Sequence, residues 1–280
     1  WLGALMWGLV LLCILFVCVY GEHYDWYQSF QIRAATVIGI LILALNLWRA
    51  SFIRHPFIAL KTWTYRAVWF PFILYIVIDI LLAPSHLFEH IYMESILGYD
   101  TLNVISLNWA VLLGIIVGAG FTLFTFSRRK WRYKTMTVIA FSSITGYLMY
   151  FYFGIDYALP KETLFMPLFL RSFGYVIIAI CFLTVLSRVP FQHFFQAVSV
   201  QSFVSAGFGG ALGTAILGHA LNGAMKKNSM LLGSVVDHVN PFISRIPVGE
   251  VYGAVQQQAL MVSMKELYGW LTLMALFCLL

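Results

Sequence analysis

From Trp1 to Tyr20 the chain carries no charged side chain. A bilayer core demands roughly 20 apolar residues of helix, so this one run already restricts what the chain can become. Further runs of similar length follow at about 32–51, 67–91, 104–126, 134–154, 163–186, 195–219 and 256–280. Lipid offers no partner to backbone N–H and C=O groups, so continuous runs of this length must be helices. The pattern predicts an all-α integral membrane protein with about eight transmembrane helices. Composition agrees: 61% of the residues are hydrophobic and 10% are charged. A soluble domain has about 25% charged residues, and one this apolar would aggregate through its own surface.

The connectors orient the spans. One set carries Arg49, Arg54, Lys61 and Arg66, then Arg128, Arg129, Lys130, Arg132 and Lys134, then Arg188. The alternate set holds fewer bases, Lys161, Lys226, Lys227 and Arg245, and most of the acids. Basic loops stay in the cytoplasm, so the C-terminus is expected there too, in a multi-pass protein of the cell (inner) membrane. The net charge of +6 is thereby explained as topology. No stacking platform accompanies the bases, so nucleic acid is not an expected partner. The segment from Gly218 to Gly253 reads as the longest stretch outside the membrane, with a turn at Asn240-Pro241.

Cys13, Cys18, Cys181 and Cys278 all lie in apolar runs and form no CxxC pair, which suits small packing residues. No HExxH, P-loop or GxSxG motif is present, and neither an enzyme activity nor a cofactor nor a metal is expected.

Two charges fall at membrane depth. Asp79 sits within Ile-Val-Ile-Asp-Ile-Leu-Leu, and Arg171 lies between Leu170 and Ser172 in the sixth run. Facing lipid, each would cost on the order of 2.5–3.5 kcal/mol, so each needs a cavity, a partner or the other. A desolvated carboxylate can exchange a proton, whereas arginine stays charged and suits orienting an acid or an anion. His86, Glu89 and His90 share a helical face at i, i+3 and i+4, a spacing open to a proton or substrate contact, a metal ligand set or a polar interface. Gln192, His193, Gln196 and Gln201 suit either a cavity face or a solvated helix start. Trp109, deep in the fourth run, suits a cavity wall or a lipid-facing surface. Gly114 with Gly118, and Gly209 with Gly213, form GxxxG steps, and Gly210, Thr214 and Gly218 make a stripe beside the second. Small residues let helices approach closely, either in static packing or in an interface that glides.

Several segments, taken in order, resemble one family. Glu22 to Ser29 followed by Ile32 looks like the "LDW-x-S…I" hairpin of fourteen-span drug–proton antiporters of the major facilitator superfamily (EmrB/QacA type). His55-Pro56-Phe57-Ile58-Ala59-Leu60 resembles the entry into their second half, and Gly98-Tyr99 their "GY" step. Pro167-Leu168-Phe169-Leu170-Arg171-Ser172-Phe173-Gly174 resembles "PLF-x-RG-x-G". Gln196-Ala197, Gln201 and Gly207 to Gly213 resemble "QASG-x-x-N-x-x-RQ-x-GG-x-x-G", with Gln201 to Ser205 departing from "N-x-x-RQ". Val239-Asn240-Pro241, then Gln256 to Ala259 with Ser263, resemble the closing loop and last span.

The resemblance implies residues 1–51 as a two-span linker hairpin, 52–63 as a cytoplasmic connector and 64–280 as the C-terminal six-helix half. It implies an N-terminal half on the same chain beyond this sequence, consistent with a start at Trp1 inside a span. It further implies export of small amphipathic molecules in exchange for protons by alternating access. Gram-negative relatives often work with a periplasmic adaptor protein, a partner the resemblance admits. Asp79, Arg171, Gln201, His86, Glu89 and Trp109 are then the candidate substrate and proton pathway. The rival expectations are a membrane-embedded lipid-modifying enzyme, built on His86, Glu89 and His90, and a non-transporting scaffold or sensor.

Overall fold

The computed structural model describes residues 2–279 apart from 54–55, 204, 206–209 and 237–246. The described residues contain no strand. Ten α-helices run α1 (Leu2–Tyr20), α2 (Phe30–Phe52), α3 (Arg66–Leu82), α4 (Pro84–Ile91), α5 (Thr101–Phe124), α6 (Tyr133–Gly154), α7 (Phe165–Leu186), α8 (Phe191–Phe203), α9 (Gly210–Val235) and α10 (Val248–Leu279). Among the described residues, seven helical stretches are long and apolar enough to cross a membrane: Leu2–Tyr20, Phe30–Phe52, Arg66–Ile96, Thr101–Arg129, Tyr133–Gly154, Lys161–Leu186 and Gly249–Leu279. Only 11% of the apolar window of α1 is buried, so most of its apolar side chains are exposed, as suits a helix in lipid. The chain is an all-α, multi-pass membrane protein.

The count differs from the eight apolar runs at one place. The run at 195–219 does not form one described helix: α8 ends at Phe203 and α9 begins at Gly210. The stretch expected outside the membrane is also largely helical. α9 continues past Gly218 to Val235, and α10 starts at Val248 rather than near 256. Partners on α10 hold the polar part of α9. Buried Asn228 donates to Ser263 Oγ at 2.9 Å, and Lys227 lies 3.8 Å from Glu266. The Asn240-Pro241 turn lies outside the described residues.

The chain divides into two compact units, Trp1–Ala83 with Ala179–Ile216, and Pro84–Ile178 with Leu217–Leu280. In the first, α1 and α2 form a tight hairpin. Its corner places Asp25 and Trp26 at positive φ, and Ser29 caps α2 by accepting from Ile32 N at 3.3 Å. A cap of this kind is worth about 1 kcal/mol. The connector after α2 is fastened to α8. Gln196 Oε1 accepts from Thr62 Oγ1 at 2.8 Å and from Ala59 N at 3.2 Å, and the Tyr65 and His193 rings lie 5.8 Å apart. Under this clasp lies a core of Ile58, Val68, Leu186, Val189, Ala197 and Val200.

In the second unit, glycines set the helix spacing. A Cβ at Gly114 would lie 2.7 Å from Phe169 O, and one at Gly118 would lie 3.0 Å from Phe173 O, so the backbones of α5 and α7 nearly touch. Gly174 brings α7 equally close to Ala140 O of α6. α6 and α10 pack through Tyr147, Phe151 and Tyr268, all essentially inaccessible. Outside the spans, Tyr99 donates to Leu159 O at 2.9 Å, and burial pushes its phenol above the ordinary range.

Candidate functional site

Pro84 opens α4 one residue after α3 closes, at a helical position where its missing N–H is no loss. The short helix turns Phe88 and Glu89 inward and leaves His86 and His90 exposed. Phe88 is 0% exposed and Glu89 6%. The face drawn from the i, i+3, i+4 spacing is therefore split. His90 Nε2 lies 3.1 Å from Glu94 Oε1 at the surface, while Glu89 enters the bundle. Among the described residues, no three His, Cys, Asp or Glu side chains gather as metal ligands would.

Inside, Glu89 meets the arginine that the sequence places at membrane depth. Arg171 Nη1 donates to Glu89 Oε2 at 2.6 Å, and Tyr147 Oη donates to Glu89 Oε1 at 2.7 Å. Both carboxylate oxygens are thus engaged by charge-assisted hydrogen bonds, the stronger kind. Three helices supply the groups: α4 the acid, α7 the base and α6 the hydroxyl. Aromatic rings wall the cluster. Phe151 and Tyr268 stack at 5.2 Å between centroids, Phe88 meets Tyr268 edge-on at 5.6 Å, and Tyr147 meets Phe151 at 5.3 Å. One turn further along, Tyr92 Oη donates to Asp156 O at 2.7 Å and fixes the end of this wall.

Tyr147 and Tyr268 are the members of this site that span reading overlooks. For Tyr147 the signal is in the sequence, because a tyrosine deep in a span carries a hydroxyl that lipid cannot satisfy and seeks a buried polar partner, whereas Tyr268 joins the site through its ring.

The first unit holds the other candidates. Asp79 lies on α3, and its buried Oδ2 has no hydrogen-bond partner among the described residues. Buried Gln201 Oε1 is likewise without a partner among them. Gln201 lines a cavity of about 450 Å³ with Tyr75, Leu183, Ser202 and Ser205. Gly213 packs α9 against α3, where a Cβ would lie 2.9 Å from Ala83 Cβ and 3.3 Å from Asp79 O. Gly210 makes no such close approach, its nearest neighbour being Ser205 O at 3.7 Å, and Gly209 lies outside the described residues. Trp109 is 66% exposed on α5 and borders none of these groups. Gln196, expected on a cavity face or at a solvated helix start, is used in the connector clasp instead. The structure thus joins Arg171 to Glu89 and gives Asp79 and Gln201 to a different unit.

Compared with models of known protein families and with curated proteins, the chain matches none.

Proposed function

We propose that the chain is the C-terminal part of a proton-coupled transporter of the major facilitator type, which exports small amphipathic molecules across the cell membrane by alternating access. The observation that carries this reading is the Glu89–Arg171–Tyr147 cluster, whose residues all lie in stretches long and apolar enough to span. A buried ion pair adds little stability over an apolar pair of similar volume, so a static scaffold gains almost nothing from holding one. A transporter does gain from it, because a carboxylate bound to a cation and a hydroxyl is a group a proton or substrate can compete for. Asp79 supports the same reading, since an acid with a buried oxygen lacking a partner among the described residues suits transient protonation. The cavity around Gln201, where Tyr75 and Leu183 supply apolar surface beside Ser202 and Ser205, has a mixed lining of the kind that takes amphipathic ligands. In this scheme the basic connectors and the C-terminus face the cytoplasm, and an N-terminal half completes the pathway.

The test uses the full-length protein in proteoliposomes with an imposed proton gradient. Glu89→Gln is expected to abolish substrate-driven proton movement while leaving substrate binding measurable. Asp79→Asn is expected to weaken coupling separately. Coupling that matches the wild type in both variants would exclude these acids and, with them, the reading.

A further inference from the structure

A second polar cavity, of about 210 Å³, lies in the first unit, walled by the first turns of α1, the last turns of α2 and the connector that follows. Asn46 and Arg49 line it from one face of α2, three residues apart. Asn46 is 4% exposed, and its buried Nδ2 has no hydrogen-bond partner among the described residues. Arg49 forms no ion pair among the described residues. Gly3 on α1 leaves the space open, because a Cβ there would lie 3.4 Å from Arg49 Nη1 and 3.3 Å from Phe57 Cβ.

Both polar side chains present donors, so the missing partner is an acceptor and an anion. An unsatisfied buried donor carries a desolvation cost that an ordinary apolar filler would not relieve. The cavity greatly exceeds the ~30 Å³ share of one water. Its surroundings specify the rest of the ligand. Ile53 and Phe57, which line the cavity, are 38% and 50% exposed. An anionic head against Arg49 and Asn46, with apolar chains along the exposed Ile53 and Phe57, fits both parts. We propose that the cavity holds the phosphate group of an anionic lipid headgroup, with Asn46 and Arg49 as its donors. The proposal is independent of whether the protein transports anything.

The test purifies the full-length protein in mild detergent after equilibration with mixed phosphatidylglycerol and phosphatidylcholine, and counts retained lipids by native mass spectrometry. The wild type is expected to keep phosphatidylglycerol over phosphatidylcholine by about tenfold, a difference of about 1.4 kcal/mol. Asn46→Asp and Arg49→Gln should each remove that preference, and Arg49→Lys should keep most of it. Exposed Arg66, outside the cavity wall, supplies the control: Arg66→Gln should change nothing. Arg49 is only partly buried, unlike Asn46, so Arg49→Gln decides the matter even where Asn46→Asp lowers folding. Equal retention of both lipids, or a loss with Arg66→Gln as large as with Arg49→Gln, would overturn the site. Displacement of phosphatidylglycerol by millimolar inorganic phosphate alone would overturn the lipid as its source.

Discussion

Arg171 and Glu89 are each worth more as a pair than alone, and the asymmetry can be measured. Removing one partner leaves a buried charge uncompensated, at about 3–5 kcal/mol. Removing both in favour of side chains of similar volume is nearly neutral. Arg171→Met and Glu89→Leu should therefore each lower the thermal unfolding temperature in detergent, and the double variant should recover most of the loss. A double variant as unstable as the sum of the singles would show that the two side chains do not act as a unit. Tyr147→Phe removes one hydrogen bond to a charged group, worth about 1.5–3 kcal/mol, and should be milder than either single. The sequence carries the depth of Arg171 plainly, because charges stand out in apolar runs. It does not carry the choice of partner. Asp79 is deeper in its run and so looks the better mate, yet the inward turn of α4 after Pro84 aims Glu89 rather than the two histidines at the bundle. Spacing assigned three residues to one face, and the difference of about 100° between neighbours on a helix then separated Glu89 from His90.

For the helices, the decisive contacts are those where backbone meets backbone. Gly114 and Gly118 let α5 lie on α7, and Gly174 lets α7 lie on α6. Gly114→Val would drive methyl groups into Phe169 O and Ser172, with overpacking of about 1–3 kcal/mol or more. It should lower both unfolding temperature and yield of folded protein. Gly120, on the same α5 but with nothing within 4 Å of an added Cβ, is the control. Gly120→Ala should be neutral or gain up to about 1 kcal/mol from helix propensity. Here the sequence was informative, since GxxxG spacing marks the α5 contact without any structure. It was less informative about α9, where Lys226, Lys227 and Asn228 make a helix look like a loop. Their hydrogen bond and ion pair to Ser263 and Glu266 come from a segment more than thirty positions later, which no local window can see.

For the whole molecule, the charge asymmetry of the connectors predicts an orientation with the basic turns in the cytoplasm. Ser127, exposed in the basic turn after α5, and Ser95, exposed in the acidic turn after α4, lie beyond opposite ends of α5. In a protein whose native cysteines are replaced by alanine, Ser127→Cys should react with an impermeant maleimide only once the cytoplasmic side is opened. Ser95→Cys should react in intact cells. Labelling of both from one side would refute the arrangement of spans. Among the described residues seven stretches meet the spanning criterion, and the eighth apolar run, at 195–219, includes positions outside them.

The ion pair has a history as well as a geometry. Glu89 and Arg171 are 82 positions apart in the chain. At about 5–20 residues per second, the ribosome delivers the arginine roughly 4–16 s after the glutamate. For those seconds a nascent α4 holds an acid with no mate, and a bilayer receives such a group poorly. The newborn hairpin must keep that end in the headgroup layer or within the insertion machinery until α7 arrives. Chains stalled before Leu170 should thus be poor lodgers in the membrane and ready prey for its quality-control proteases, while chains released just beyond α7 should persist.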